Sequence, residues 1–199
     1  MSTAILWYRR DLRLADNPAL QALLADGYIP VPVFIHDEPD PDWQTGGASA
    51  WWLHYSLVTL KQSLQQLGSD LFISSGDTQR QLAQLVQKTG AEAVYWNRCY
   101  EPAFVSRDAA IKKQLKQQGI NANSHSAGLL REPQQLLKKD NTPYRVFTPF
   151  WKLLWKIGPS RELATTPENL PALSRSKLPD SQPIESLELL PAIHWDNCL

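Results

Sequence analysis

Short apolar runs alternate with amphipathic stretches along the first two thirds of the chain. Residues 4–8 form an apolar run that ends abruptly in Arg9-Arg10-Asp11-Leu12-Arg13, as a buried strand does at the rim of a sheet. Asn17 followed by Pro18 predicts the capped start of a helix over residues 19–26, with Gly27 stopping it. Residues 29–35 (IPVPVFI) predict a second strand, with Pro30 placed outside it or at its first position because proline gives a ladder no donor. Between residues 48 and 67, Leu53, Leu57, Leu60, Leu64 and Leu67 recur at steps of four and three, the stripe of a helix with one buried face. A strand over 71–74, a helix opened by Asp77 and closed by Gly90, a strand over 93–96, a helix over 102–118 and a more polar edge strand over 120–126 complete the series.

Five strands alternating with helices through short connections predict an α/β fold: a doubly wound, Rossmann-like, five-stranded parallel sheet with helices on both faces. Ligands of such sheets bind outside the carboxyl ends of the strands, where strand order reverses. The residues that follow the strands are therefore the candidates for chemistry: Arg9, Arg10, Asp11 and Arg13, then His36, Asp37 and Glu38, then Asn97, Arg98, Tyr100 and Glu101.

Beyond Pro133 the alternation stops. Residues 144–157 are aromatic-rich, with Trp151 and Trp155 one helical turn apart, and the last 42 residues hold six of the fifteen prolines among many Ser, Thr and Glu. This divides the chain into an α/β domain over residues 1–132, an aromatic segment over 133–157 that packs at a domain interface, and a Pro-rich interdomain linker over 158–199.

Composition narrows the class. Of 199 residues 43% are hydrophobic and 20% charged, which suits a water-soluble domain, and no apolar run approaches a membrane span. Without a secretory signal at the N-terminus, a cytoplasmic protein is expected. Cys99 and Cys198 form no metal or disulfide pattern and read as free thiols, and the four histidines lack metal spacing. Twenty basic residues balance twenty acidic ones, whereas a duplex binder carries a basic excess, so this segment is not expected to grip DNA by itself. Neither a dinucleotide fingerprint nor a P-loop occurs. The arginines and aspartate of residues 9–13 suit either an anionic ligand or a self-contained salt-bridge network.

The string WYRRDLRL-x-DNPAL at residues 7–20 is similar to the opening signature of the photolyase/cryptochrome family. Three further stretches match that family in order: WWLHYSLVTLKQSLQQLGSDL at 51–71, YWNRCYEP at 95–102 and YRVFTPFWK at 144–152. Where the family often has glycine in the turn before the last of these, this chain has Asp140-Asn141-Thr142.

The resemblance implies the light-harvesting domain of a deoxyribodipyrimidine photolyase, a carbon-carbon lyase that repairs pyrimidine dimers in DNA. It would bind an antenna chromophore: methenyltetrahydrofolate, a deazaflavin or FMN. A helical domain of the same protein, absent here, would bind FAD and damaged DNA, and the chain alone would be inactive. A cryptochrome-type photoreceptor domain, or a stand-alone pigment- or nucleotide-binding module, are the alternatives. Family members that hold folate in the interdomain cleft often use an Asn-Glu pair where Ala103 and Phe104 stand here, which argues against that mode. The expected chromophore contacts are instead Arg9, Arg10, His36, Asp37, Glu38, Asn97 and Glu101, with Trp43 or Tyr100 as a stacking surface. No catalytic residue or metal ligand is assigned.

Overall fold

The computed structural model of the chain describes residues 2–37, 45–173 and 178–193. Five strands, β1 (Thr3–Tyr8), β2 (Ile29–His36), β3 (Phe72–Ser75), β4 (Ala93–Asn97) and β5 (Asn121–His125), form a parallel sheet in the order β3-β2-β1-β4-β5. Helices α1 (Pro18–Ala25), α2 (Gly47–Gln66), α3 (Thr78–Thr89) and α4 (Pro102–Gln117) connect them, and α5 (Phe147–Ile157) follows. Strand order runs outward from β1 to β3 and then returns to place β4 on the other side of β1. The expected doubly wound fold is present, and its switch point lies between β1 and β4. No helix among the described residues is long and apolar enough to cross a membrane.

The central strand β1 is buried on both faces, as a parallel sheet covered by helices requires. Its period of two sends Ala4, Leu6 and Tyr8 toward Leu20, Leu23, Leu57, Leu60 and Leu64 of α1 and α2. Ile5 and Trp7 go the other way, toward Leu82, Leu85, Ile111 and Leu115 of α3 and α4. Asn17 caps α1 by accepting from the Leu20 amide, and Asp77 caps α3 by accepting from that of Arg80.

Pro30 and Pro32 both lie inside β2, an interior strand, where the sequence reading kept Pro30 to the margin. The Ile29 amide points at β1, donating to the Ser2 carbonyl, so alternation turns the two proline nitrogens toward β3. There β3 begins its pairing only at Val33, opposite Phe72. The two missing donors fall where no neighbouring strand needs them. Asn141 adopts φ 59°, in the left-handed region that asparagine tolerates.

The proline-rich tail does more than span. Leu170, Ile184, Leu187 and Leu189 are buried in the α1/α2 core. The Leu170 amide donates to the Leu67 carbonyl at 2.9 Å, and Asp16 donates to the Ala164 carbonyl at 2.8 Å. Farther on, the tail runs along the free edge of β3: Gln182 donates to the Ile73 carbonyl at 2.8 Å, while the Ile73 amide donates to Ser181 Oγ at 3.0 Å. Apart from one 3-10 turn over Ile184–Leu187, the described residues of the tail carry no regular element, which explains why composition reads as a linker.

Candidate functional site

At the switch point, the ends of β1, β4 and β5 leave a cavity of about 530 Å³ lined by Arg10, Asp11, Arg13, Asn97, Arg98, Cys99, Tyr100, Glu101, Ala127 and Gly128. Its floor is fixed by Asn97, which is almost fully buried. The Asn97 amide nitrogen donates to Asn17 Oδ1 at 2.8 Å and to Asp11 Oδ2, and its oxygen accepts from the Ala19 amide at 3.1 Å. Asn97 thus ties β4 to the β1 loop and the start of α1, and both of its amide hydrogens are occupied by these contacts.

Arg9 lies beneath the cavity. Its guanidinium donates to Asp108 at 2.7 Å and to the Asn97 carbonyl, and sits 4.6 Å from the ring centre of Trp7. Arg10, in contrast, is exposed at the rim, where it pairs with Glu101 and lies 5.0 Å over the Phe104 ring. Arg107 fills the space between, 4.8 Å from Phe104 and 5.3 Å from Trp7. Guanidinium and aromatic groups therefore alternate from the buried sheet to the cavity mouth. The Glu101 carboxyl is held below the usual range by its own backbone N–H and by Arg10, against the opposing effect of burial. Burial pushes the Cys99 thiol up, away from the thiolate that nucleophilic chemistry would need.

The far wall is built on Glu132. Tyr100 donates to its Oε1 at 2.8 Å and Arg98 at 2.7 Å, and Arg98 also donates to the Ser124 carbonyl at 2.8 Å. Burial of Glu132 opposes ionisation, but Tyr100, Ser126 and Arg98 outweigh it and hold the carboxyl below its ordinary value. The neighbouring Arg131 donates to the carbonyls of Ile157, Gly158 and Pro159, clasping the end of α5.

Of the residues expected from the sequence, Arg10, Asn97, Tyr100 and Glu101 meet at the cavity. His36 and Asp37 stand apart, at the end of β2. The Asp37 carboxylate accepts from Thr78 and Arg107, and its pKa is raised because burial outweighs the arginine. Glu38 and Trp43 lie outside the described residues. Arg13, Arg98 and Asp11, placed by the sequence at strand ends but not chosen as contacts, line the cavity. Phe104, Arg107, Asp108 and Glu132 were not anticipated. The first three sit on a helix whose spacing marks nothing unusual, and Glu132 is in an irregular turn.

Residues 4–171 match the family model described as DNA photolyase. Over 187 residues the chain is 41% identical to deoxyribodipyrimidine photo-lyase of Agrobacterium fabrum, an alignment covering 94% of the chain and 38% of that protein. Over 150 residues it is 39% identical to cryptochrome-2 of Arabidopsis thaliana, covering 74% of the chain and 24% of the plant protein. It superposes with a TM-score of 0.78 and 27% identity on the archaeal photolyase from Sulfolobus tokodaii, crystallised with two FAD molecules and taken to imply a novel light-harvesting cofactor. That match covers 94% of the chain and 41% of the archaeal one, so the chain spans about two fifths of the photolyases that it resembles.

Proposed function

The chain belongs to the DNA photolyase family, and from that premise we propose that it is the light-harvesting portion of a deoxyribodipyrimidine photo-lyase, binding an antenna pigment at its switch point. The observation that carries this reading is the cavity between the ends of β1 and β4. Its volume falls within the roughly 300–1,000 Å³ of small-molecule sites.

Its lining suits a planar pigment with an anionic tail, such as methenyltetrahydrofolate or FMN. Arg10, Arg13 and Arg98 line the cavity, and although each pairs with a carboxylate, Glu101, Asp16 and Glu132 respectively, their remaining N–H donors can be shared with a ligand carboxylate or phosphate. Tyr100 is fixed through its hydroxyl and offers a ring face, and Arg10 backed by Phe104 offers a second flat surface. When bound, the pigment would absorb light and pass the excitation on; the chain's own residues orient it and keep water away. Asn97, locked by three hydrogen bonds, keeps the floor from rearranging. Repair itself would fall to FAD and lesion-bearing DNA held by a helical domain of the same protein. The balanced charge of this chain supports a role away from the DNA.

Titrating the purified chain with methenyltetrahydrofolate, FMN and a deazaflavin, read by absorbance and fluorescence anisotropy, tests the pigment site. Saturable binding of one of them that Arg10→Ala weakens is the expected result. Failure of all three to bind overturns it. The plant relative favours a second reading, a cryptochrome-type photoreceptor domain. A light-dependent dimer-repair assay on the native gene product separates the two.

A further inference from the structure

Trp7 on β1 and Trp96 on β4 stand opposite each other in the strand register, on the face of the sheet that α3 and α4 cover. Their ring centres are 5.9 Å apart with the planes tilted by 54°, and each residue is 1% exposed. They are the two fully buried tryptophans among the described residues. A buried indole usually hands its N–H to an acceptor, because an unpaired donor in a dry core costs stability. Neither Trp7 Nε1 nor Trp96 Nε1 has a partner among the described residues. Phenylalanine would give the same core an aromatic ring without that cost, so packing alone does not account for two indoles at this place.

What an indole adds is strong absorption of ultraviolet light, followed by emission in the near ultraviolet, where folates and flavins absorb. An N–H without an acceptor cannot pass its proton on in the excited state, and a ring away from water is not quenched by solvent. Excitation of this pair therefore has fewer ways to be lost. The rings are also held still. The guanidiniums of Arg9 and Arg107 lie 4.6 and 5.3 Å from the Trp7 ring centre, and Lys112 Nζ lies 6.0 Å from that of Trp96.

Their place joins them to the cavity. Trp96 directly precedes Asn97, the floor, and Arg9 against Trp7 donates to the Asn97 carbonyl. Trp7 is separated from Arg10, in the cavity lining, by at most about 11 Å of chain. Excitation passes through space between chromophores whose emission and absorption overlap, at a rate that falls steeply with distance, and so short a span favours it. We propose that Trp7 and Trp96 form a built-in ultraviolet antenna beneath the cavity, feeding excitation to the pigment above. This deepens the reading that the cavity holds a pigment, and rests on it. Pyrimidines absorb in the same ultraviolet band, so the pair collects light of the kind that makes the lesions.

The test titrates the 199-residue chain with methenyltetrahydrofolate, FMN and a deazaflavin. Pigment emission is recorded with excitation through indole, corrected for the pigment's own ultraviolet absorption, and with direct excitation. The expected result is sensitised emission, together with a shortened lifetime of the tryptophan emission that solvent quenchers do not reach. Trp7→Phe and Trp96→Phe should each lower the ratio of sensitised to direct emission by more than an equal share of the eight tryptophans, and Trp52→Phe, which removes a ring 70% exposed on α2, by less. An unchanged lifetime of the buried emission at saturation overturns the proposal, whether or not the variants fold. So does sensitised emission that survives both core substitutions and falls with Trp52→Phe. A pigment that binds and emits on direct excitation alone removes the ultraviolet antenna and leaves the pigment reading standing, whereas failure of all three pigments to bind removes both.

Discussion

Asn97 at the end of β4 donates its side-chain amide to Asn17 Oδ1 at 2.8 Å, and the same oxygen accepts from Leu20 to cap α1. One buried side chain thereby joins the floor of the cavity to the first helix. Asn97→Ala would leave Asn17, Asp11 and the Ala19 amide short of partners, at a cost of about 2–4 kcal/mol. Denaturant unfolding checks this. Asn97→Asp is expected to be at least as damaging, because it sets a second carboxylate against Asp11.

Arg10 provides the opposite case. It is exposed and pairs with Glu101 at the rim, so Arg10→Ala should change stability by no more than about 0.5 kcal/mol. Removing its charge and its flat surface should nevertheless weaken pigment binding by about tenfold, the loss of one charge-assisted contact. The two effects are read from an unfolding curve and a fluorescence titration on the same variant. Equal affinity in the variant would place the pigment elsewhere.

The strands and four of the helices were legible because each rests on a local signal: an apolar run, a leucine stripe, Asn17-Pro18, or a closing glycine. Strand-end logic also located Arg10, Asn97, Tyr100 and Glu101, since the carboxyl edge of a parallel sheet is where side chains leave the core. The same logic brought in His36 and Asp37, at the end of β2 on the far side of β1 from the cavity. Sequence could not distinguish those sides, because strand order depends on long-range pairing. Arg131, Glu132 and the buried Leu170 and Leu189 of the tail were hidden for a different reason. They act from irregular backbone, where no period marks a residue as inward.

The tail should prove part of the fold. Ile184 is 6% exposed and packs with the α1/α2 core just after Gln182 pairs with β3. Ile184→Ala is expected to cost about 2–4 kcal/mol, measured by urea unfolding. Deleting everything after Leu173 should additionally bare the edge of β3 and promote association between chains, visible in light scattering. A truncated chain that stays monomeric and equally stable would show that the strap is only draped on the surface.

Acid should loosen the strand ends before the carboxylates titrate. His36 and His125 close β2 and β5, and each has its pKa pulled below 6.5, chiefly by burial. At His125, Arg98 and Lys112 push the same way and Asp26 opposes; at His36, Asp37 opposes. A histidine whose folded pKa is depressed takes up its proton more readily when unfolded. Its contribution to stability is present above the unfolded pKa and is lost as pH falls through the folded one. The unfolding midpoint should therefore drop as pH is lowered below about 6.5. His125 lies nearly parallel to the Tyr95 ring, 5.9 Å between centres, and its Nε2 is buried with no hydrogen-bond partner among the described residues. Phenylalanine can keep that stacking without taking a proton. His125→Phe should accordingly flatten the acid side of the profile while leaving stability near neutral pH almost unchanged. An unaltered acid slope in this variant, with His36 intact, would assign the whole effect to the end of β2.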